Sequence, residues 1–233
     1  MLSLQQRSYK KELLDAESIP FADIKQNMKE LNNINTLLGG HKITIKGFKF
    51  FLQKNPQSTL SVCEVGCGGG DNLKAIEQWA ATKNIKINFT GIDIKEECIE
   101  FAKEQYPELN ATWITSDYRK TVFATKPDII FSSLFCHHFT EDELITMLHW
   151  MKNNCTKGLF INDLHRNLVA YYCIKWITTL FSRSYLVKND APLSVAKGFT
   201  KKEWQKIFSA AGIHNYSINW QWAFRHLIIY KNE

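Results

Sequence analysis

Between Glu64 and Asn72 the chain reads EVGCGGGDN, with glycines at 66, 68, 69 and 70. A short apolar run (Leu60, Val62, Cys63, Val65) precedes it, and a helical pattern (Leu73, Ile76, Ala80) follows. Strand, Gly-rich turn and helix make the first half of a nucleotide-binding βαβ unit. A chain that doubles back at a strand tip needs backbone angles that glycine adopts at low cost, and a missing Cβ lets a ligand lie against the backbone. A phosphate-binding P-loop needs Lys-Ser/Thr after its last glycine. Asp71-Asn72 stand there, which disfavours a nucleoside triphosphate. The dinucleotide fingerprint needs a third glycine at 71, and Asp71 is a poor neighbour for a pyrophosphate. What remains, Glu64-x-Gly66-x-Gly68-Gly69-Gly70, suits a cofactor with a positive charge or an amino-acid tail.

Further groups able to do chemistry fall at the ends of apolar runs. Asp93 ends the run KINFTGID, 23 residues after Gly70, where a carboxylate can accept both hydroxyls of a ribose. Its other reading is a cap for the helix that follows. Asp117-Tyr118 follow a third run, Thr112–Thr115, and also suit a plain polar turn. A fourth run, 127–133, exits through Ser133-Leu134-Phe135-Cys136-His137-His138, and a fifth, 157–163, through Asp163-Leu164-His165-Arg166. Ligands of open α/β sheets bind outside the carboxyl ends of the strands, so these residues can converge on one cleft. Each histidine alone also suits a capping or core role.

The elements that must position them follow from periodicity. Continuous apolar runs, as at 127–133, are what buried parallel strands require. Residues 1–58 precede the first strand and look helical. Phe21, Ile24, Met28, Leu31, Ile34 and Leu38 share one face after a start at Ser18-Ile19-Pro20, and Gly39-Gly40 stop that helix. Either Thr44 caps a second helix through Phe48, Phe51 and Leu52, or a short strand falls at 43–45. These helices either cover the sheet or cap the substrate cleft. Helices are expected over about 72–83, 95–106, 141–152 and 201–211, with Thr200 and Glu203 forming a capping box for the last. Two final strands fall at 213–219 and 224–230. Residues 168–182 are broadly apolar, with Lys175, Thr178, Thr179 and Ser182 on one helical face. At about 1.5 Å per residue such a helix is roughly 22 Å long, short of a roughly 30 Å hydrocarbon core. It reads as a packing helix, as a wall for an apolar substrate, or as a patch touching a membrane surface. Residues 182–200 read as a long ordered loop, a class often functional.

The Gly-rich loop with Glu64, followed in order by Asp93 and Asp117, resembles the class I S-adenosylmethionine-dependent methyltransferases over roughly residues 56–231. The resemblance implies an α/β Rossmann-like, seven-stranded, mostly parallel sheet with helices on both faces. It also implies an N-terminal helical cap (1–55), a methyltransferase domain (56–233) and a substrate-side insertion (164–200). The cofactor would be S-adenosyl-L-methionine, held by Glu64, Gly66, Cys67, Gly68, Asn72, Asp93, Ile94, Asp117, Tyr118 and Ser133. In that family the acid after strand three accepts a hydrogen bond from the adenine amino group, and its neighbour packs on the ring. The amine-accepting Asn/Asp-Pro-Pro-Tyr/Phe of nucleobase and glutamine methyltransferases is missing after strand four. Ser-Ser-Leu-x-x-His-His is instead similar to the small-molecule branch that includes quinone-biosynthesis enzymes. The run from Asp163 to Trp204 looks like bacterial methyltransferases associated with polyketide and aromatic-pigment biosynthesis.

The expected reaction is in-line displacement onto a small aromatic or polyketide-type acceptor, most simply at oxygen. His137 or His165 would be the base, Asp163 would orient the imidazole, and Arg166 would hold an anionic acceptor. Two alternatives stand beside it, a nicotinamide-dependent oxidoreductase and a non-catalytic cofactor-binding subunit. Composition bounds the rest. A chain of 233 residues with 45% hydrophobic content supports one sizeable core. The net charge of +6 is read as a solvated surface rather than a nucleic-acid footprint. No run of about 18 apolar residues is present, and no metal site is read. The charged N-terminus and six cysteines without a CxxC pair point to a reduced, cytoplasmic protein of undetermined oligomeric state.

Overall fold

A computed structural model describes residues 4–16, 18–52 and 59–232. Seven strands form one sheet in the order β3-β2-β1-β4-β5-β7-β6. They are β1 (Leu60–Val65), β2 (Ile87–Asp93), β3 (Ala111–Thr115), β4 (Ile129–Ser133), β5 (Gly158–Leu164), β6 (Tyr216–Gln221) and β7 (Arg225–Lys231). β1 to β5 run parallel, and β7 inserts antiparallel between β5 and β6. This is the mostly parallel α/β sheet that the resemblance implies. The helices are α1 (Phe21–Leu37), α2 (Gly40–Lys49), α3 (Asp71–Ala81), α4 (Glu96–Gln105), α5 (Glu141–Asn154), α6 (Leu168–Phe181), α7 (Tyr185–Lys197) and α8 (Lys201–Ala210).

Strand side chains alternate between two cores. Val62, Phe131 and Phe160 pack with Phe48, Leu73 and Ile76 of α2 and α3. Cys63, Ile130 and Ile161 pack with Met147, Met151 and Trp204 of α5 and α8. Both faces of the central strands are therefore apolar. This is why their sequences read as continuous apolar runs rather than as alternation.

The two N-terminal helices pack in different places. α2 lies on α3, β5 and β7 and covers the sheet. It comes close because Gly47 carries no side chain: a Cβ there would stand 2.5 Å from the Phe160 ring. α1 packs on α4 and α7 instead, with Ile24 and Met28 against Cys98 and Phe101. Thr44 does not cap α2. The helix begins at Gly40 behind Gly39, whose φ of 74° is left-handed, and Thr44 is an interior residue bonded to Asn72. The expected boundary between residues 55 and 56 lies outside the described residues.

The expected loop at 182–200 is in fact mostly α7, despite Pro192 inside it. Ser184 caps its start, accepting from Val187 N at 3.3 Å. The apolar periodicity is broken because α7 buries two polar residues, Asp190 and Lys197. Both serve the N-terminal segment: Asp190 accepts from Leu13 N and Leu14 N, and Lys197 pairs with Glu12. Residues 4–16 thus run as a strap beside α7, tied also by Ser8 N to Ala196 O. Five cysteines are buried and unpaired, and Cys173 is exposed.

Candidate active site

β1 ends at Val65, and the loop turns back over the end of β2, Gly66 N and Cys67 N both donating to Ile92 O. Gly66 and Gly68 hold φ of +69° and +49°, which favour glycine. Gly68 N donates to Asp93 Oδ2 at 2.8 Å, and Lys95 N to Asp93 Oδ1 at 3.0 Å. Asp93 therefore ties the loop to the residue before α4, but it does not cap that helix: the N-cap is Lys95, which makes no side-chain capping bond. Burial raises its carboxyl above the usual range, although the N–H groups of Lys95, Gly68 and Ile94 oppose this.

Gly66, Cys67, Gly68, Asn72, Asp93, Ile94, Asp117, Tyr118 and Ser133, all expected at the cofactor, line one cavity of about 730 Å³. Glu64 sits behind its wall, fully buried, and does not line it. Its Oε1 accepts from Asn72 Nδ2 at 2.9 Å and its Oε2 has no partner. Burial and then the nearby Asp71 raise this carboxyl well above its ordinary value. The acids at the wall itself are Asp71, Asp93 and Asp117 on this side and Glu12 and Asp15 of the N-terminal segment. Asn72 and Ser133 belong to a buried network with Thr44 and Asn162. Asp117 chelates its neighbour Arg119, with Nε at 2.9 Å, which holds its carboxyl below the usual range. Tyr118 is a core residue, its ring edge-on to Trp150 at 5.2 Å. Ile94 is exposed at the rim.

Across the cavity, His137 from the turn after β4 meets Asp163 of β5. His137 Nδ1 is 2.8 Å from Asp163 Oδ1, and His137 N donates to Oδ2 at 3.1 Å. Burial raises the Asp163 carboxyl, but His137 more than offsets this and holds it below the usual range. The strap contributes groups that no local pattern in the sequence singled out. Glu12 Oε1 lies 3.8 Å from His137 Nε2 and 3.1 Å from Lys197 Nζ, and Glu12 Oε2 lies 3.7 Å from His138 Nε2. His138 Nδ1 lies 3.5 Å from Asp15. Burial opposes protonation of His138, but Asp15 and Glu12 outweigh it and raise its pKa. Glu12, His137 and His138 have the residue types of a metal triad, with ligand atoms within 4.8 Å of one another. The Lys197 ammonium already supplies a cation to Glu12.

Two expected catalytic residues lie elsewhere. His165 does not line the cavity. Its ring rests 4.7 Å from that of His226, its Nδ1 is buried without a partner, and burial lowers its pKa. The Arg166 guanidinium is enclosed by Glu203 at 2.7 and 2.9 Å, Gly198 O and Leu4 O. It is thus committed to the fold and unable to hold an acceptor. A different arginine reaches the cavity, Arg225 of β7. It is buried, donates to Asn35 Oδ1 at 2.8 Å, and leaves Nε without a partner. Burial lowers it to about 10. The remaining walls are apolar: Leu31 and Ile34 of α1, Ile174 and Ile177 of α6, and Trp220 and Trp222 beside the β6–β7 turn.

Residues 62–158 match the family model described as a methyltransferase domain. The chain is 30% identical over 142 residues to the mitochondrial ubiquinone biosynthesis O-methyltransferase of Saccharomyces cerevisiae, covering 59% of this chain and 42% of that protein. It thus spans less than half the length of this curated relative. Solved structures share the fold. The plantazolicin methyltransferase BpumL with SAH superposes with a TM-score of 0.66 at 16% identity, covering 91% of this chain and 95% of that one. Magnesium protoporphyrin IX methyltransferase from Synechocystis PCC 6803 with bound SAM gives 0.57 at 14% identity, covering 87% and 84%. Human N-acetylserotonin methyltransferase with SAM gives 0.65 at 13% identity, covering 90% and 56%. The domain match and the shared fold agree with the glycine loop and the acids found at the strand tips: residues 62–158 match a methyltransferase domain, and the chain has the fold of methyltransferases solved with SAM or SAH.

Proposed function

We propose that this chain transfers a methyl group from S-adenosylmethionine to a hydroxyl of a small, largely apolar acceptor of aromatic or polyketide type. The observation that carries the reading is His137, which lines the same cavity as the glycine loop and Asp93 and is held from behind by the fully buried Asp163. The residues present fit the cofactor. Gly66 and Gly68 leave backbone open at the cavity wall, Asp93 and Asp117 offer carboxylates for ribose and adenine, and Ile94 offers an apolar face. The unpartnered Glu64 Oε2 behind Asn72 leaves an acceptor in reserve under the loop.

When bound, the cofactor supplies a methyl carbon already activated by its sulfonium. The protein's work is alignment, exclusion of water and removal of one proton. Asp163 fixes His137 with Nδ1 toward the carboxylate, leaving Nε2 to take the acceptor's hydroxyl proton. Glu12, beside that nitrogen and paired with Lys197, supplies a polar contact at the reacting end of the cavity. Arg225 replaces Arg166 as the cation able to meet an anionic group on the acceptor. The apolar walls from α1 and α6 suit aromatic or alkyl carbon and disfavour a polar peptide or nucleic acid.

Calorimetric titration with S-adenosylmethionine, its demethylated product and NAD tests the cofactor, on wild type and Asp93→Ala. Micromolar binding of the first two, lost in the variant, is expected. Binding of NAD alone would turn the reading to an oxidoreductase. Cofactor binding without turnover across a panel of phenols and carboxylic acids would favour a non-catalytic subunit.

A further inference from the structure

We infer that the mouth of the cavity is a docking face for an anionic lipid bilayer, formed by α6 together with the β6–β7 turn. Val169, Cys173, Trp176 and Leu180 fall at spacings of three and four on α6 and form one stripe. Val169, Trp176 and Leu180 are 60%, 65% and 74% exposed, and Phe181 at the helix end is 81% exposed. Single exposed apolar residues need no explanation, but a contiguous stripe marks an interaction site. Its inner face is accounted for, with Ala170 and Ile174 packed on Val195, Leu164 and Phe224. The stripe borders the cavity, because Cys173 and Ile177 of α6 line it. Trp220 and Trp222 line it too and are 54% and 72% exposed.

Charge complementarity decides the occupant. The segments around the mouth, residues 31–52, 167–189 and 216–227, contain no Asp or Glu, although the chain has 23. They carry Lys42, Lys46, Lys175 and Arg183, all exposed. Lys46 Nζ bonds to Gln221, which places it beside the two tryptophans. Glu30, just before the first segment, is turned inward and accepts from Ser182 and from Arg183 N. Asp23, which accepts from Tyr185, is the other acid at this edge. Exposed tryptophans among segments that carry basic and no acidic residues match the interface of a membrane with anionic headgroups. A protein partner's polar rim would instead be expected to meet charges of both signs. No helix among the described residues is long and apolar enough to cross a membrane, so the contact is peripheral. Docked this way, the mouth opens onto the acyl layer, and an apolar acceptor reaches the cavity without passing through water.

The test is co-sedimentation of the full chain with sucrose-loaded vesicles, either of phosphatidylcholine alone or with anionic phosphatidylglycerol added. Binding to the mixed vesicles is expected, falling at least about fivefold on neutral vesicles, in high salt, or in Lys175→Glu/Arg183→Glu. Trp176→Ser/Leu180→Ser, neither residue lining the cavity, is expected to abolish it with S-adenosylmethionine affinity unchanged. Failure to bind either vesicle, or binding untouched by both variants, would overturn the inference. So would a dimer by light scattering that Trp176→Ser/Leu180→Ser dissociates, since the stripe would then be a subunit interface. Titration with S-adenosylmethionine is independent of vesicle binding, so failure of this inference and failure of the proposed function are separately visible.

Discussion

His137 faces Asp163 through two contacts at once, its ring Nδ1 at 2.8 Å from one carboxylate oxygen and its backbone N–H at 3.1 Å from the other. The pair joins the turn after β4 to the end of β5 and fixes which ring nitrogen is left for chemistry. His137→Gln is expected to lower kcat roughly 10²-fold or more while S-adenosylmethionine affinity stays within a few-fold. Steady-state kinetics and calorimetry on the same preparation check this. An unchanged kcat would remove His137 as the base and leave alignment alone to carry the reaction.

Asp93 holds the glycine loop through Gly68 and is expected to hold the cofactor's ribose. Asp93→Ala is predicted to weaken S-adenosylmethionine binding about 10²-fold, the loss of one or two hydrogen bonds to a charged group. Asp93→Asn keeps the shape and should lose less. Unaltered affinity in Asp93→Ala would refute the ribose role.

Arg166→Ala removes one partner of a largely buried ion pair with Glu203, so about 3 kcal/mol of stability should be lost in urea unfolding. The acceptor KM should not change. A raised KM with intact stability would return Arg166 to the acceptor site, against its geometry.

Asp15 and His138 are coupled at 3.5 Å. Burial raises the Asp15 carboxyl, but its bond to His138 and the other nearby donors hold it down at about 2. Its stabilisation is complete above the ordinary carboxylate range near 4 and is lost as pH falls toward 2. His138 is shifted upward, so its stabilisation is complete below the ordinary histidine pKa near 6.5 and fades as pH rises beyond it. Asp15→Asn should therefore cost most stability between about pH 4 and 6.5, the gap to wild type narrowing on either side. Urea midpoints at pH 2.5, 5.5 and 8.5 test this, and a gap independent of pH would contradict the coupling.

Gly47→Ala places a methyl 2.5 Å from the Phe160 ring, with a cost of about 1–3 kcal/mol from overpacking. Thermal and urea unfolding check it. A neutral result would mean α2 can lift from the sheet.

Most of the sheet and the cavity wall beside the glycine loop were legible because they are local. Strand, glycine loop and helix lie within about twenty residues, and Asp93 and Asp117 follow their strands directly. The opposite wall, around His137, was legible only in part. His137 and His165 both follow strands, and nothing in their neighbours tells that one turns to Asp163 while the other rests on His226. Arg166 looked available because its partner, Glu203, is 37 residues away. Glu12, Lys197 and Arg225 gave no signal, since each meets the site through contacts far apart in the chain. For the same reason α7 read as a loop: its buried Asp190 and Lys197 are satisfied by the strap and break the apolar period.

The strap also bears on how the molecule assembles. Residues 4–16 precede the sheet in the chain, yet their partners lie far beyond it: Arg7 reaches Lys197 across 190 positions and Leu13 reaches Asp190 across 177. Contacts of such separation close late in folding, after shorter-range pairings have formed. The sheet and the glycine loop can therefore be in place while Glu12 is still unseated, and the end of the cavity around His137 is expected to form last.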